Sequence, residues 1–187
     1  MQNDLSLSVA YHLNFDNYIE TMMKRYEIYI QTTIKDVREL VSKSEKKIVY
    51  AHFMMPHFPY LIDSTGVQLP FFRLKKQSIT DKLAYISYLK YTNTVVLDLI
   101  HFIKKESVNP FVICLISDHG FRYSIDQPSN LTFSNLIALK WHQPVSAPKF
   151  QQNTLVNFMR IVHAYLSTTN MPFLEDKNFK EFDSLFD

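Results

Sequence analysis

From Phe15 to Ser44 the apolar positions recur at helical spacing. Tyr18, Met22, Tyr26 and Tyr29 fall on one face, and Ile30, Ile34, Val37 and Val41 continue it. Asp16 is an N-cap candidate at its start. The pattern predicts one or two amphipathic helices packed on a core. The longest periodic stretch runs from Thr80 to Lys105, with Leu83, Ile86, Leu89, Tyr91, Val95, Leu97, Leu99, Ile100 and Ile103 forming a broad apolar face. Lys104 and Lys105 suit the negative end of a helix dipole. Asn109-Pro110 then stops the helix. A third helix is predicted over 153–166, NTLVNFMRIVHAYL, capped by Asn153.

Between these stretches the period changes. KIVYAHF, 47–53, is a short β-rich run and predicts a buried strand. FVICLIS, 111–117, is apolar at successive positions, the pattern of a central strand covered on both faces. A strand, a long helix and a second buried strand make a βαβ unit with a parallel pair. NLIALKW, 135–141, predicts another strand. The expected fold is therefore α/β: a mostly parallel sheet flanked by helices, in a single domain spanning residues 1–187. The 80–105 helix lies on one face of the sheet, and a polar and aromatic tail wraps it from Asn170 onward.

Composition narrows the function classes. Two glycines, Gly66 and Gly120, stand where average usage gives about 13. No phosphate-binding glycine loop and no dinucleotide fingerprint can be written with them. The net charge of +2 argues against nucleic acid or an anionic membrane as partner. One cysteine, Cys114, cannot form an intrachain disulfide. Its place inside an apolar run predicts a small buried hydrophobe. Residues 1–17 lack the basic start and apolar run of a signal peptide, and no run approaches the roughly 20 apolar residues of a transmembrane helix.

Chemistry is concentrated where predicted strands end, which is where open α/β sheets bind ligands. The 111–117 strand ends in Ser117-Asp118-His119-Gly120. A carboxylate beside an imidazole offers the oxygen and nitrogen donors that a divalent metal takes. Gly120 permits a sharp turn or positive φ. An equally good local reading is a plain turn capped by Asp118. The 47–53 strand leads into Met55-Pro56-His57-Phe58-Pro59-Tyr60, where flanking prolines stiffen the backbone of His57. That imidazole could bind an oxyanion or protonate a leaving group, or it could be a surface loop histidine. His52, inside the strand, is expected to be a core residue. Asn157 and Arg160 sit three apart on the late helix and could pair with loops. Arg122 could face an anion or simply water.

Taken together, IVYAHFMMPHFPYLIDSTG at 48–66, YLKYTNTVVLDLIHFI at 88–103, VICLISDHGFR at 112–122 and NTLVNFMRIVHAYL at 153–166 resemble the sulfatase and alkaline phosphatase superfamily. The resemblance covers nearly all of this chain but only the C-terminal half of that family's domain, so the fold it implies is an incomplete alkaline-phosphatase-like one. It implies that Asp118 and His119 are ligands of one divalent metal (Zn, Mn, Ca or Mg), weakly held by this chain alone. It implies that His57 lies near the phosphate or sulfate of an ester substrate, and that Asn157 and Arg160 are structural. The N-terminal strand, its acidic ligand and the Thr, Ser or Cys nucleophile of the family have no counterpart here.

The expectation is a fragment of a metal-dependent sulfatase-like hydrolase or phospho-group transferase, inactive without its N-terminal half. The resemblance implies the cell envelope for a full-length form. The alternative from another class is a non-catalytic remnant or interaction domain. A third reading sets His52, His57, Asp118 and His119 on a single metal. His57 and the Asp118-His119 pair are expected on one edge of that sheet, converging within about 10 Å.

Overall fold

Met23, Ile30 and Val37 stand seven apart, and they are the buried line of the first helix, α1 (Phe15–Val41). The predicted face holds at Ile30, Ile34 and Val37, which turn inward, while Tyr29 is exposed and Met23 is buried in place of a position predicted there. The computed structural model describes residues 15–122, 134–142, 155–167, 169 and 171–175. The expected Asn153 cap and most of the C-terminal tail lie outside the described residues. The chain divides into two compact units, one of Met1–Phe111 with Phe121–Ser129, the other of Val112–Gly120 with Asn130–Asp187.

The first unit is helical. After α1 come a single turn, α2 (Phe71–Leu74), and the long α3 (Lys82–Glu106). Asp81 caps α3, its carboxylate accepting from the Ala84 N–H at 3.0 Å and satisfying one of the orphan donors of the first turn. Tyr88, Thr92 and Leu99 are its buried positions. One core cluster joins Ile30, Met55, Tyr60 and Tyr88, with Ile34, Phe53, Phe58, Tyr85 and Val95 packed against it. A smaller cluster joins Met23, Leu61 and Leu74. Each such side chain, fully buried, contributes about 1.5–3 kcal/mol relative to exposure. The Arg38 guanidinium on α1 pairs with Asp98 on α3 and lies over the Phe102 ring, 4.9 Å from its centroid. That pair edges a groove of about 300 Å³ lined also by Gln31, Ile34, Thr94 and Val95.

The second unit holds the only sheet among the described residues. β1 (Val112–Ile116) pairs with β2 (Ile137–Trp141), Val112 opposite Trp141 and Ile116 opposite Ile137. A 3-10 turn (Leu155–Asn157) leads directly into α4 (Phe158–Ser167), where Phe158, Ile161 and Val162 are buried.

This corrects the expected fold. The sheet has two strands and they run antiparallel, so there is no mostly parallel sheet flanked by helices. Segment 47–53 is not a strand. Its backbone is held from the side instead: the Lys47 ammonium donates to the Leu40 and Lys43 carbonyls at the C-terminal end of α1, both at 2.7 Å. The Tyr29 hydroxyl donates to the His52 carbonyl at 2.7 Å. β1 found its partner in the next β-rich run along the chain, a shorter closure than the 47–53 pairing would need. Cys114 and Ile116 are exposed on β1, so its doubly apolar sequence is not matched by cover on both faces. No helix among the described residues is long and apolar enough to cross a membrane.

Candidate functional site

In the first unit the loop around His57 is built by burying its neighbours. Met55, Pro59, Tyr60 and Leu61 point into the core while His57 is exposed. The His57 N–H donates to the Met54 carbonyl at 2.8 Å. The Met55-Pro56 and Phe58-Pro59 bonds are both cis. Gln77 then clamps the loop's far end: its carboxamide oxygen accepts from the Tyr60 N–H at 3.0 Å and its amide donates to the Tyr60 carbonyl at 2.9 Å. The Tyr60 hydroxyl donates to the Ile79 carbonyl. Burial, chiefly, with Tyr85 and Asp81 nearby, pushes the Tyr60 phenol up to about 12, so it stays a donor at physiological pH. His57 Nδ1 lies 2.5 Å from the Phe58 carbonyl oxygen. A carbonyl only accepts, so the proton sits on Nδ1 and a neutral ring presents its lone pair on Nε2.

In the second unit the pair at the end of β1 uses the same device. His119 Nδ1 donates to the Gly120 carbonyl at 2.7 Å, which puts the lone pair of a neutral ring on Nε2. Nε2 stands 3.7 Å from Asp118 Oδ2. Asp118 Oδ1 accepts the His119 N–H at 2.9 Å, which fixes the carboxylate against its own turn and leaves Oδ2 outward. A tetrahedral zinc with bonds of about 2.0–2.2 Å sets its donors about 3.3–3.6 Å apart. At 3.7 Å the two atoms stand slightly further apart than that. The Asp118 side chain is 88% exposed, so water and further ligands can reach it. Upstream, Ser117 prolongs the ladder past β1: its N–H donates to the Leu136 carbonyl at 3.0 Å, and its hydroxyl accepts from the Leu136 N–H at 2.7 Å. That is what holds the turn carrying Asp118 and His119 against β2.

His57 follows no strand, so the sheet edge that it was expected to share with Asp118-His119 does not exist. His52 is exposed, with its ring 6.4 Å from that of Tyr50, and is not a core residue. Gly66, at φ 90°, is the positive-φ glycine among the described residues, and Gly120 is not. Cys114 is exposed, and partial burial of its thiol raises its pKa, the opposite direction from an activated nucleophile. No group of three or more His, Cys, Asp or Glu arranged for a metal occurs among the described residues. Asn157 and Arg160 do bind the C-terminal segment: Asn157 pairs with both backbone groups of Leu174 at 2.8 Å, and Arg160 donates to the Pro172 carbonyl at 3.2 Å. The Gln77 clamp was missed from the sequence, where a glutamine between lysines and serine gives no signal.

Comparison with family models, with curated proteins and with solved structures finds no match for the chain.

Proposed function

We propose that the chain supplies part of the centre of a metal-dependent sulfatase-like hydrolase or phospho-group transferase acting on sulfate or phosphate esters. The observation that carries this reading is the Asp118-His119 pair, in which Asp118 Oδ2 and His119 Nε2, on a ring anchored through Nδ1, stand 3.7 Å apart. Asp118 and His119 hold one divalent cation: Zn, Mn, Ca or Mg. Such an ion, when bound, stabilises the charge that develops on an ester oxygen. Two ligands fall short of the three or four that hold a metal firmly. The remaining ligands and the nucleophile come from a second half, and the chain alone is inactive. The motif resemblance supports the same reading and suggests the cell envelope as the place of action.

Turnover of aryl phosphate and aryl sulfate esters tests it, with Zn²⁺ or Mn²⁺ present. The chain alone should give no turnover above background. Mixing with a sulfatase-like N-terminal half that carries the nucleophile and acidic ligands should give turnover, abolished by Asp118→Ala. Turnover by the chain alone would show that the centre is complete as it stands. A mixture that is inert, or whose activity ignores Asp118→Ala, would leave the non-catalytic interaction domain as the better reading.

A further inference from the structure

The carbonyl that takes the His119 Nδ1 proton belongs to the peptide joining Gly120 to Phe121. A glycine leaves the peptide that follows it freer to rotate than any other residue would. The orientation of that carbonyl therefore has to come from what holds the chain on either side. Upstream, Asp118 Oδ1 accepts the His119 N–H, and the Ser117–Leu136 bonds prolong the ladder. Downstream, the centre of the Phe121 ring lies 4.6 Å from that of Tyr85, with the planes tilted by 33°. Two rings at that separation attract one another beyond the area they bury.

Tyr85 is itself braced. It stands on the first turn of α3, and its own ring meets the Tyr60 ring edge-on at 5.9 Å. Tyr60 meets Phe58 edge-on at 5.6 Å. Tyr60 is 3% exposed, clamped by Gln77 and tied through its hydroxyl to the Ile79 carbonyl. Phe58, Tyr60, Tyr85 and Phe121 all belong to the first unit. The row starts from a fixed core residue and ends on Phe121, whose backbone nitrogen shares a peptide plane with the Gly120 carbonyl.

We propose that Tyr85 is a positioning residue for His119. By stacking on Phe121 it holds the Gly120 carbonyl where that oxygen takes the Nδ1 proton, which keeps the lone pair of the neutral ring on Nε2. Without the stack the peptide is free to turn, its oxygen leaves Nδ1, and nothing then selects Nδ1–H over Nε2–H. A neutral ring protonated on Nε2 has no lone pair there to offer an ion. The consequence for metal binding rests on the reading of His119 as a ligand, whereas the choice of tautomer does not.

Nitrogen chemical shifts of the neutral His119 ring, measured on the full chain without metal, test it. Wild type should carry the proton on Nδ1. Tyr85→Ala should lower the ratio of Nδ1–H to Nε2–H roughly two- to tenfold, the fold-change that corresponds to losing one aromatic pair. Phe121→Ala should do the same from the other side of the contact, and it decides the question if Tyr85→Ala loses its helical circular dichroism. Tyr85→Phe, which keeps the ring, should hold the wild-type ratio, and the exposed His101 should give one tautomer ratio in every variant. A wild-type ring protonated on Nε2 would overturn the proposal. So would a ratio that ignores both alanine variants, or a Tyr85→Phe as damaging as Tyr85→Ala. Zinc added afterwards separates this proposal from the metal reading: alanine variants that shift the tautomer, in a chain whose wild-type His119 ignores zinc, would keep the positioning role and remove the ligand role.

Discussion

A carboxamide accepts and donates at once, so one Asn or Gln can satisfy both backbone groups of a residue that has left regular structure. Gln77 does this for Tyr60 and Asn157 for Leu174. Asn157 is 0% exposed, which makes its clamp a fixed part of the second unit. Asn157→Ala should free the 171–174 segment at a cost of about 1–3 kcal/mol, the range for losing a buried polar partner. Asn157→Asp should be worse than Ala at neutral pH, because it keeps the acceptor for the Leu174 N–H but turns a carboxylate on the Leu174 carbonyl. Amide exchange at Leu174 reads both effects. Equal protection in wild type and Asn157→Ala would show that the clamp does not hold the segment. The sequence made Asn157 and Arg160 visible as a pair three apart on a helix, but their partners are backbone atoms, which no side-chain pattern reports.

Among the elements, the turn after the His57 loop depends on one carboxylate. The Leu69 N–H donates to Leu61 at 2.8 Å and the Asp63 N–H to Val67 at 2.9 Å, closing the chain around Gly66. A side chain at Gly66 would need positive φ and would meet the Tyr91 ring at 3.1 Å. Asp63 Oδ1 accepts from the Thr65 hydroxyl, the Thr65 N–H and the Val67 N–H at 2.7, 2.8 and 3.0 Å. These bonds, the Thr65 hydroxyl first, hold the Asp63 carboxyl below its ordinary value of 3.8. The native pKa being the lower one, the carboxylate's contribution is complete above that ordinary value and is lost as pH falls through the native pKa. The Thr65 and Val67 amide protons should therefore shift together in an acid titration, with a midpoint below 3.8. Asp63→Asn should remove that transition. A midpoint at or above the ordinary value would mean that the three bonds do not form in solution.

Helices were legible and strand pairing was not, for a physical reason. Thr80–Lys105 shows its own period, cap region and stop signal, and α3 forms at Lys82–Glu106 from those local terms. α1, similarly, lies within the predicted stretch, with Tyr29 the member of its predicted face that is exposed. A strand's partner is a non-local fact. KIVYAHF and FVICLIS carry strand composition, but composition does not say which runs pair, in which direction, or what covers them. The second run paired with NLIALKW, and the first was tied to α1 through Lys47 and Tyr29.

For the whole molecule, two separate stretches of chemistry survive the loss of the expected sheet. His57 belongs to the helical unit, and Asp118 and His119 to the unit built on β1 and β2. Each is oriented locally, by a carbonyl that takes the Nδ1 proton. Asp-His-Gly was readable as a possible ligand pair because residue type alone supplies its donors. Its geometry was not readable, since the Asp118 carboxylate and the His119 ring are aimed by main-chain atoms.

The central claim is that Asp118 and His119 act together as metal ligands, and zinc titration followed by the imidazole resonances of His119 tests it most directly. The predicted result is a saturable shift of the His119 signals with weak affinity, since two ligands are fewer than a firm site uses. Asp118→Ala should weaken that response roughly tenfold or more, as loss of an inner ligand must exceed the 10–100-fold range's lower bound seen for outer partners. The exposed His101, on α3, serves as the internal control and should respond equally in both proteins. A His119 signal that ignores zinc, or a response untouched by Asp118→Ala, would contradict the claim and reduce the pair to a turn.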